Sequence, residues 1–187
     1  MQALRQALGL QGHPTLLYLG AISTVAHGLG LLLDAFVVTR RSIPNARLLI
    51  VGDGDDRPAL MHKAQALGLT DALLWTGHLP AETARSYLAL ADASVDPVFD
   101  TPGMAGRSPL KIVESMAQAV PVITGDVGDR HETLAGSGMI VPHSDAAALG
   151  DAISRLLGDR ALRETLAQAS YARSEEFLWW KLIRAWM

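Results

Sequence analysis

Short apolar runs alternate with segments of helical period along almost the whole chain. The segments between the runs, such as HGLGLLLDAFVVTRR and RPALMHKAQALG, place apolar side chains on one broad face. The runs themselves are apolar on both faces, which is typical of parallel strands buried between two layers of helices. The six runs are TLLYLG, ARLLIVGDG, DALLWTGHLP, SVDPV, VPVITGD and GMIVP. They predict an α/β protein: a Rossmann-like three-layer αβα sandwich with a parallel sheet of about six strands.

The length of 187 residues suits one domain with a substantial core. We expect residues 1–14 to be a linker with the remnant of a helix. Residues 15–173 are expected to form the α/β domain, and residues 174–187 a final helix.

The final segment, EEFLWWKLIRAWM, carries more apolar surface than the exposed end of a domain normally shows. We expect Phe177 and Leu182 to pack on the domain's own core. At least one of Trp179, Trp180 and Trp186 is expected to stay exposed or to pair with another surface. Dimerisation of the chain through this helix is therefore a hypothesis.

Composition excludes several kinds of function. The net charge is −3, and the Lys and Arg residues are scattered, so no nucleic-acid groove is indicated. The absence of cysteine excludes disulfides, thiolate nucleophiles and Cys-based zinc sites, and it fits a cytoplasmic protein. The six histidines are not spaced as metal ligands, so we expect no metal. The N-terminus lacks the pattern of a secretion signal, and no apolar run is long enough for a membrane span.

Five polar loops should gather at one edge of the predicted sheet. In an open parallel sheet, ligands bind outside the carboxyl ends of the strands. The loops that follow the strands there comprise residues 20–27, 52–56, 77–80, 96–109 and 125–131. We therefore look for the functional site among these loops.

The stretch RSPLKIVE combines a helix start with two opposite charges. Ser108 and Pro109 suit the N-cap and the first helical position, so free backbone N–H groups would face the loops and favour a phosphate. Lys111 adds a positive charge, and Glu114 lies one turn further on, where its carboxylate could accept two hydrogen bonds from ribose hydroxyls. A capped surface helix with a Lys111–Glu114 pair explains the same spacing.

Three further loops each allow two interpretations. His27 could donate to a phosphate or a sugar hydroxyl, or it could cap a helix. The GDGDD stretch lacks the third glycine of a dinucleotide fingerprint and would repel a pyrophosphate, so a turn before an acidic helix start explains it better. In GDVGDRHE the polar side chains could meet a substrate or cap a short helix; they are Asp126, Arg130, His131 and Glu132.

Taken in order, these stretches resemble one family. The chain resembles the C-terminal domain of a retaining family 4 (group 1) glycosyltransferase of the GT-B fold. The stretches that carry the resemblance are, in order, LLYLGAIS, HG, LLLDAF, ARLLIVGDGDDRPAL, DALLWTGHLP, ADASVDP and SPLKIVESMAQAVPVITGDVGDRHE. The resemblance runs from about Leu10 to the C-terminus. It implies a domain that binds a UDP- or GDP-sugar donor, needs no metal or other cofactor, and works with a preceding N-terminal domain that holds the acceptor. It also implies a cytoplasmic enzyme, or one peripheral to the membrane at full length.

The resemblance also implies site residues, although no catalytic residue can be assigned. Glu114 would take the ribose hydroxyls, and the backbone around residues 108–110, with Lys111 nearby, would face the diphosphate. The residues expected to bind the donor are Gly20, His27, Gly77, His78, Leu79, Ser108, Pro109, Leu110, Lys111 and Glu114.

The chain departs from the family pattern at three points. Gly106 stands where many members carry a Glu near the donor sugar. Ala21 and His27 stand where an Arg and a Lys are common in the first glycine loop. We expect the segment to lack the N-terminal domain of the family, and therefore to be inactive as an enzyme on its own.

Two other functions remain open. A sugar-nucleotide epimerase of the same fold would need His78, Glu114, His131 and Glu132 to converge in one cleft. A non-catalytic partner of another transferase would explain Gly106 as a mark of degeneration.

Overall fold

The computed structural model describes residues 2–24, 27–178 and 181. Its centre is a six-stranded sheet in which every neighbouring pair of strands is parallel, in the order β3-β2-β1-β4-β5-β6. The strands are β1 (Thr15–Leu19), β2 (Arg47–Val51), β3 (Leu73–Trp75), β4 (Ala93–Asp96), β5 (Val122–Gly125) and β6 (Met139–Val141). The predicted α/β fold and its six strands are confirmed.

Helices occupy the connections. They are α1 (Gln2–Ala7), α2 (Leu29–Ser42), α3 (Arg57–Ala66), α4 (Ala81–Leu88), α5 (Pro102–Ala105), α6 (Leu110–Ala117), α7 (Arg130–Leu134), α8 (Ala146–Gly158) and α9 (Arg160–Ser174). Within the described ranges, none of the helices has the length and hydropathy that a membrane crossing requires.

The core is divided by the sheet, as alternating side chains on β1 illustrate. Leu16 and Tyr18 face a core that also contains α2, α3 and α8, whereas Leu17 faces a second core with Leu10 and Leu88. A third cluster joins α6 and α7 to β5 on that second side. The sheet is therefore covered on both faces, and its loops emerge at the two remaining edges.

Two helices begin later than the sequence suggested. Helix α2 starts at Leu29 because Gly28 has a φ of +57° and lies against the carbonyl of Pro97, where a side chain would not fit. Helix α6 starts at Leu110, with Pro109 as its N-cap. The expectation that Ser108 is the N-cap and Pro109 the first helical residue is therefore wrong by one position.

A short helix lies within residues 96–109, which the sequence predicted to be a loop. Thr101 caps α5, because its hydroxyl accepts a hydrogen bond from the backbone N–H of Met104 at 3.2 Å. Pro102 then fills the first helical position, which needs no donor. A cap followed by proline thus outweighs the glycines on either side of Met104.

Both ends of the described chain contribute to the core. Leu10 is fully buried and Leu4 packs on the same cluster, so the segment before β1 is part of the core. At the other end, Phe177 packs on the α6–α7 cluster as expected, in a 3-10 turn (Glu175–Phe177) that follows α9. The expected positions of Leu182 and of the three tryptophans lie outside the described residues.

Candidate functional site

Two cavities open at the carboxyl edge of the sheet. The glycine-loop cavity, of about 260 Å³, lies among the loops after β1, β2 and β3 and is lined by Leu19, Gly20, Ala21, Val51, Gly52, Asp53, His78, Leu79 and Ala84. The cationic cavity, of about 270 Å³, lies beside the start of α6 and is lined by His27, Asp96, Pro97, Met104, Arg107, Ser108, Pro109, Lys111 and Arg130. Both lie where a parallel sheet binds its ligands.

Direct backbone contact between the first two loops shapes the glycine-loop cavity. A Cβ on Gly52 would overlap the carbonyl oxygen of Gly20, and a Cβ on Gly54 would overlap that of Ile22. The N–H of Gly20 donates to the carbonyl of Val51, and the N–H of Ile22 donates to that of Asp53, both at 3.0 Å. The glycines of GDGDD are therefore needed for close packing between the loops.

One acidic residue of GDGDD, Asp56, holds the first loop in place. Asp56 Oδ2 accepts hydrogen bonds from both the backbone N–H (2.7 Å) and the hydroxyl (2.8 Å) of Thr24, which lower the pKa of that carboxyl group. Asp56 is the N-cap residue of α3, yet its side chain makes no capping hydrogen bond. The predicted turn before a helix is present, but this carboxylate binds the neighbouring loop.

A buried carboxylate organises the cationic cavity. Asp96 Oδ2 lies 2.9 Å from Arg130 Nε, and Asp96 Oδ1 lies 3.2 Å from Lys111 Nζ. The guanidinium of Arg130 also donates to the carbonyls of Val127 and Met104. Sequence reasoning missed Asp96 and left the role of Arg130 open. The structure makes Arg130 a buried partner of Asp96.

The ammonium of Lys111 is directed into the protein. Its Nζ has almost no contact with solvent and lies 4.5 Å from the centre of the Tyr18 ring. Burial lowers the pKa of Lys111, and the charge of Asp96 opposes that shift. Lys111 therefore pairs with Asp96 and not with Glu114, so the interpretation as a surface Lys111–Glu114 pair is wrong.

Tyr18 connects the two cavities. Its hydroxyl donates a 2.7 Å hydrogen bond to the carbonyl of Ala21 in the first glycine loop, while its ring lies beside the ammonium of Lys111. Burial and the charge of Asp96 raise the pKa of Tyr18, so the hydroxyl keeps its proton and remains a donor. A methyl group on Gly20 would lie 3.2 Å from Lys111 Nζ and 3.3 Å from the Tyr18 hydroxyl.

The remaining residues of the α6 region are spread along the rim. Ser108 donates its hydroxyl hydrogen bond to Asp129, at the start of α7. Leu110 is 75% exposed, and Glu114 is half-buried one turn further along. Glu114 takes part in none of the ion pairs found among the described residues.

His27 enters the cationic cavity as a neutral imidazole. Burial lowers the pKa of His27, and the nearby charges of Lys111 and Arg107 lower it further. With a pKa below the ordinary value of about 6.5, the ring is uncharged at neutral pH and can both donate and accept one hydrogen bond.

The structure distributes the expected donor-binding residues between the cavities. Gly20, His78 and Leu79 line the glycine-loop cavity, and the cationic cavity contains His27, Ser108, Pro109 and Lys111. Gly77, Leu110 and Glu114 line neither cavity. Gly77 has a φ of +72° and forms a bridge with Gly52, so it shapes the glycine-loop cavity through its backbone.

The residues that an epimerase would need do not converge. Of His78, Glu114, His131 and Glu132, His78 alone lines one of the two cavities. His131 is 68% exposed on α7, and its ring is near Asp126 on the outer surface. In the part of the chain that the structure describes, no group of three or more His, Asp or Glu residues is arranged to hold a metal.

Known proteins are similar to this chain in sequence and in fold. Residues 13–159 match the family described as Glycosyl transferases group 1. The phosphatidyl-myo-inositol mannosyltransferase of Mycobacterium leprae (strain TN) is 30% identical over 186 residues, which cover 96% of this chain and 48% of that protein. The chain spans about half or less of the length of the curated relatives it matches.

Solved structures extend the likeness to the fold. HepE of Anabaena in complex with UDP-glucose has a TM-score of 0.80 at 22% identity, over 94% of this chain and 47% of that one. The C-terminal domain of LpcC, a glycosyl transferase group 1 family protein of Francisella tularensis, has a TM-score of 0.79 at 21% identity, over 97% of this chain and 93% of that one. The chain thus belongs to the glycosyl transferases group 1 family and has the fold of the C-terminal domain of a GT-B glycosyltransferase.

Proposed function

We propose that this domain binds the nucleotide part of a UDP- or GDP-sugar and forms the donor half of a retaining glycosyltransferase. The observation that carries the proposal is the charge of the cationic cavity. Among its lining residues are three cations, Arg107, Lys111 and Arg130, and one carboxylate, Asp96. This excess of positive charge beside the start of α6 favours a diphosphate.

The neighbouring cavity suits the nucleoside. It is formed mainly by glycine backbone, Leu19, Val51 and Leu79, with Asp53 and His78 as its polar side chains. A flat base can lie against such a surface while a few polar groups fix its orientation. Glu114 supplies a carboxylate for the ribose hydroxyls from α6, the helix that also carries Lys111.

The proposed reaction exchanges one glycosidic bond for another. The bond between the anomeric carbon and the diphosphate oxygen breaks, and a new bond forms to an acceptor hydroxyl, which loses its proton. The cationic cavity stabilises the charge that develops on the leaving diphosphate, so side chains rather than a resident metal or cofactor do this in our proposal. The acceptor and the remaining catalytic groups come from an N-terminal domain, which is the proposed partner.

Calorimetric titration with UDP, GDP and ADP tests the donor site, with the Glu114→Gln variant as the probe. We expect one diphosphate to bind saturably and Glu114→Gln to weaken it about 10- to 100-fold, because hydrogen bonds to a charged group are lost. Glu164→Gln removes the same charge from an exposed position on α9 and should change nothing.

The outcomes distinguish the alternatives. Equal nucleotide affinity in Glu114→Gln and Glu164→Gln would show that Glu114 does not bind the ribose. Absence of binding by the wild-type chain would contradict the donor-site proposal and favour a non-catalytic partner of another transferase. Gly106, which stands where many family members carry a Glu near the donor sugar, is the sequence feature that agrees with this alternative.

A further inference from the structure

A third and much smaller cavity, the α6 cavity, lies between the sheet and α6. Its volume is about 10 Å³, close to the minimum that holds one water molecule in a protein interior. The lining comes from β1, β4, β5 and α6, and most of it is almost fully buried. The lining residues are Leu19, Ser94, Val95, Asp96, Lys111, Ile112, Ser115 and Val122.

Two polar atoms of these residues are buried without a hydrogen-bond partner in the described part of the chain. One is the hydroxyl oxygen of Ser94, a residue that is 4% exposed, and the other is the ammonium nitrogen of Lys111. Lys111 Nζ lies 3.2 Å from Asp96 Oδ1, but this ion pair is not aligned as a hydrogen bond. Because an unpaired polar group in the interior costs free energy, two such groups beside one cavity indicate an occupant that bonds to both.

The polar groups of the lining restrict the chemistry of the occupant. Lys111 offers only donors, so the occupant has to accept a hydrogen bond from it. Ser115 donates its hydroxyl hydrogen to the carbonyl of Lys111 at 2.8 Å, and its oxygen can still accept. Asp96 Oδ1 is a further acceptor, since the hydrogen bonds from Arg130 and Thr124 to this carboxylate go to Oδ2. A small molecule that both accepts and donates suits these groups, and water has this chemistry and this size.

We propose that the α6 cavity binds one internal water molecule, which accepts a hydrogen bond from Lys111 Nζ and bridges the ammonium to the hydroxyl of Ser94. A third partner for the water, as is typical of buried sites, is the carboxylate of Asp96 or the hydroxyl of Ser115. The water supplies the acceptor that the ammonium otherwise lacks and holds Lys111 in position beside the cationic cavity. Burial lowers the pKa of Lys111, and an acceptor at Nζ opposes that shift because it favours the charged form.

A crystal structure of the wild-type chain, at a resolution that shows ordered water, tests the site directly. We expect one electron-density peak within hydrogen-bond distance, about 2.5–3.2 Å, of both Ser94 Oγ and Lys111 Nζ. Either of two results would overturn the inference. One is a cavity without electron density, and the other is a direct hydrogen bond from Ser94 Oγ to the ammonium of Lys111 or the carboxylate of Asp96.

Ser94→Ala tests the site in solution, because a bridged and an unpaired hydroxyl predict different results. If Ser94 is bonded to a water, its truncation loses that hydrogen bond, and the thermal unfolding midpoint should fall by about 2–4 °C. If the hydroxyl is buried without a partner, its removal relieves an unfavourable burial, and the midpoint should rise or stay the same.

Ser137→Ala is the matched control for this measurement. Ser137 is also 4% exposed, but its hydroxyl donates directly to the carbonyl of Leu134 at 2.6 Å. The fall of its midpoint gives the scale for a buried serine that is hydrogen-bonded, and we expect a similar fall for Ser94→Ala. A midpoint of Ser94→Ala at or above that of the wild type would contradict the water site. Neither experiment involves a nucleotide, so the result is independent of the proposed function.

Discussion

Asp96, the last residue of β4, and Arg130, the first residue of α7, form an ion pair in the interior of the domain, with 2.9 Å between Oδ2 and Nε. Their side chains are 6% and 2% exposed. Lys111 of α6 contacts the other oxygen of the same carboxylate at 3.2 Å. One side chain therefore joins a strand and two helices directly below the cationic cavity.

Asp96→Ala should strongly destabilise the domain. Removing the carboxylate leaves two buried cations without their counter-ion, which costs about 3–5 kcal/mol of unfolding free energy. Urea unfolding followed by circular dichroism measures the loss. Asp55→Ala removes an acidic side chain that is exposed in the second glycine loop and should cost little. A loss below about 1 kcal/mol for Asp96→Ala would contradict a structural role for this carboxylate.

Tyr18→Phe should loosen the first glycine loop. The substitution keeps the ring beside Lys111 and removes the hydrogen bond to the Ala21 carbonyl, so we expect a loss of about 1 kcal/mol in stability and a several-fold weaker nucleotide. Unfolding and titration measure the two effects. Tyr171→Phe, at a position 53% exposed on α9, is the control. Unchanged affinity would mean that the hydroxyl does not position the loop.

The affinity for a nucleotide sugar should rise as the pH falls. His27 is neutral in the free domain because burial, Lys111 and Arg107 lower its pKa, and a bound diphosphate should raise that pKa by favouring the charged ring. Protonation is therefore coupled to binding in the range between the two pKa values. A nucleotide sugar is the suitable probe, because a terminal phosphate itself titrates near about pH 6.

Titration at about pH 7.5 and about pH 5.5 measures this coupling, since imidazole changes charge in that range. His27→Gln should abolish the increase in affinity, and His62→Gln, at an exposed position on α3, should retain it. Affinity that is independent of pH in the wild type would place His27 away from the diphosphate.

Gly54→Ala should be harmful, although its backbone conformation is one that alanine can adopt. The new Cβ would overlap the carbonyl of Ile22 and force the first two loops apart, at a cost of about 1–3 kcal/mol and with loss of the glycine-loop cavity. Gly103→Ala, where nothing lies within 4 Å, is the matched substitution and should be tolerated. Similar unfolding midpoints for the two variants would show that the loops can separate freely.

The sheet could be predicted from the sequence because the four central strands are largely buried on both faces and most of the strands therefore read as apolar runs. The approximate position of the site followed from the same reasoning, since all the loops after parallel strands reach one edge. The α5 helix was missed because the glycines around Met104 suggested irregular chain, whereas the signal of a cap followed by proline was present in Thr101 and Pro102.

The direction of Lys111 could not be predicted in this way. Its partner Asp96 lies at the end of a strand, and Arg130 is 34 positions further along the chain from Asp96. The spacing of residues within a helix therefore predicts neither the Lys111–Asp96 contact nor the Arg130–Asp96 contact. Spacing within α6 suggested Glu114 as the partner of Lys111, but the buried contacts of Lys111 with Tyr18 and Asp96 determine the direction of its side chain. An aspartate within the predicted strand SVDPV was the local signal that an interior charge needed a cation.

The backbone contacts of Gly20 with Gly52, and of Ile22 with Gly54, also determine how the site can diversify. Two loops that touch through their main chains cannot accept an insertion or a bulkier residue independently, so a change in one requires a matching change in the other. A mutant library that aims at a new nucleotide preference should therefore hold Gly20, Gly52 and Gly54 constant. Side chains that line the cavity without supporting it are the positions to vary, above all Ala21 and His78.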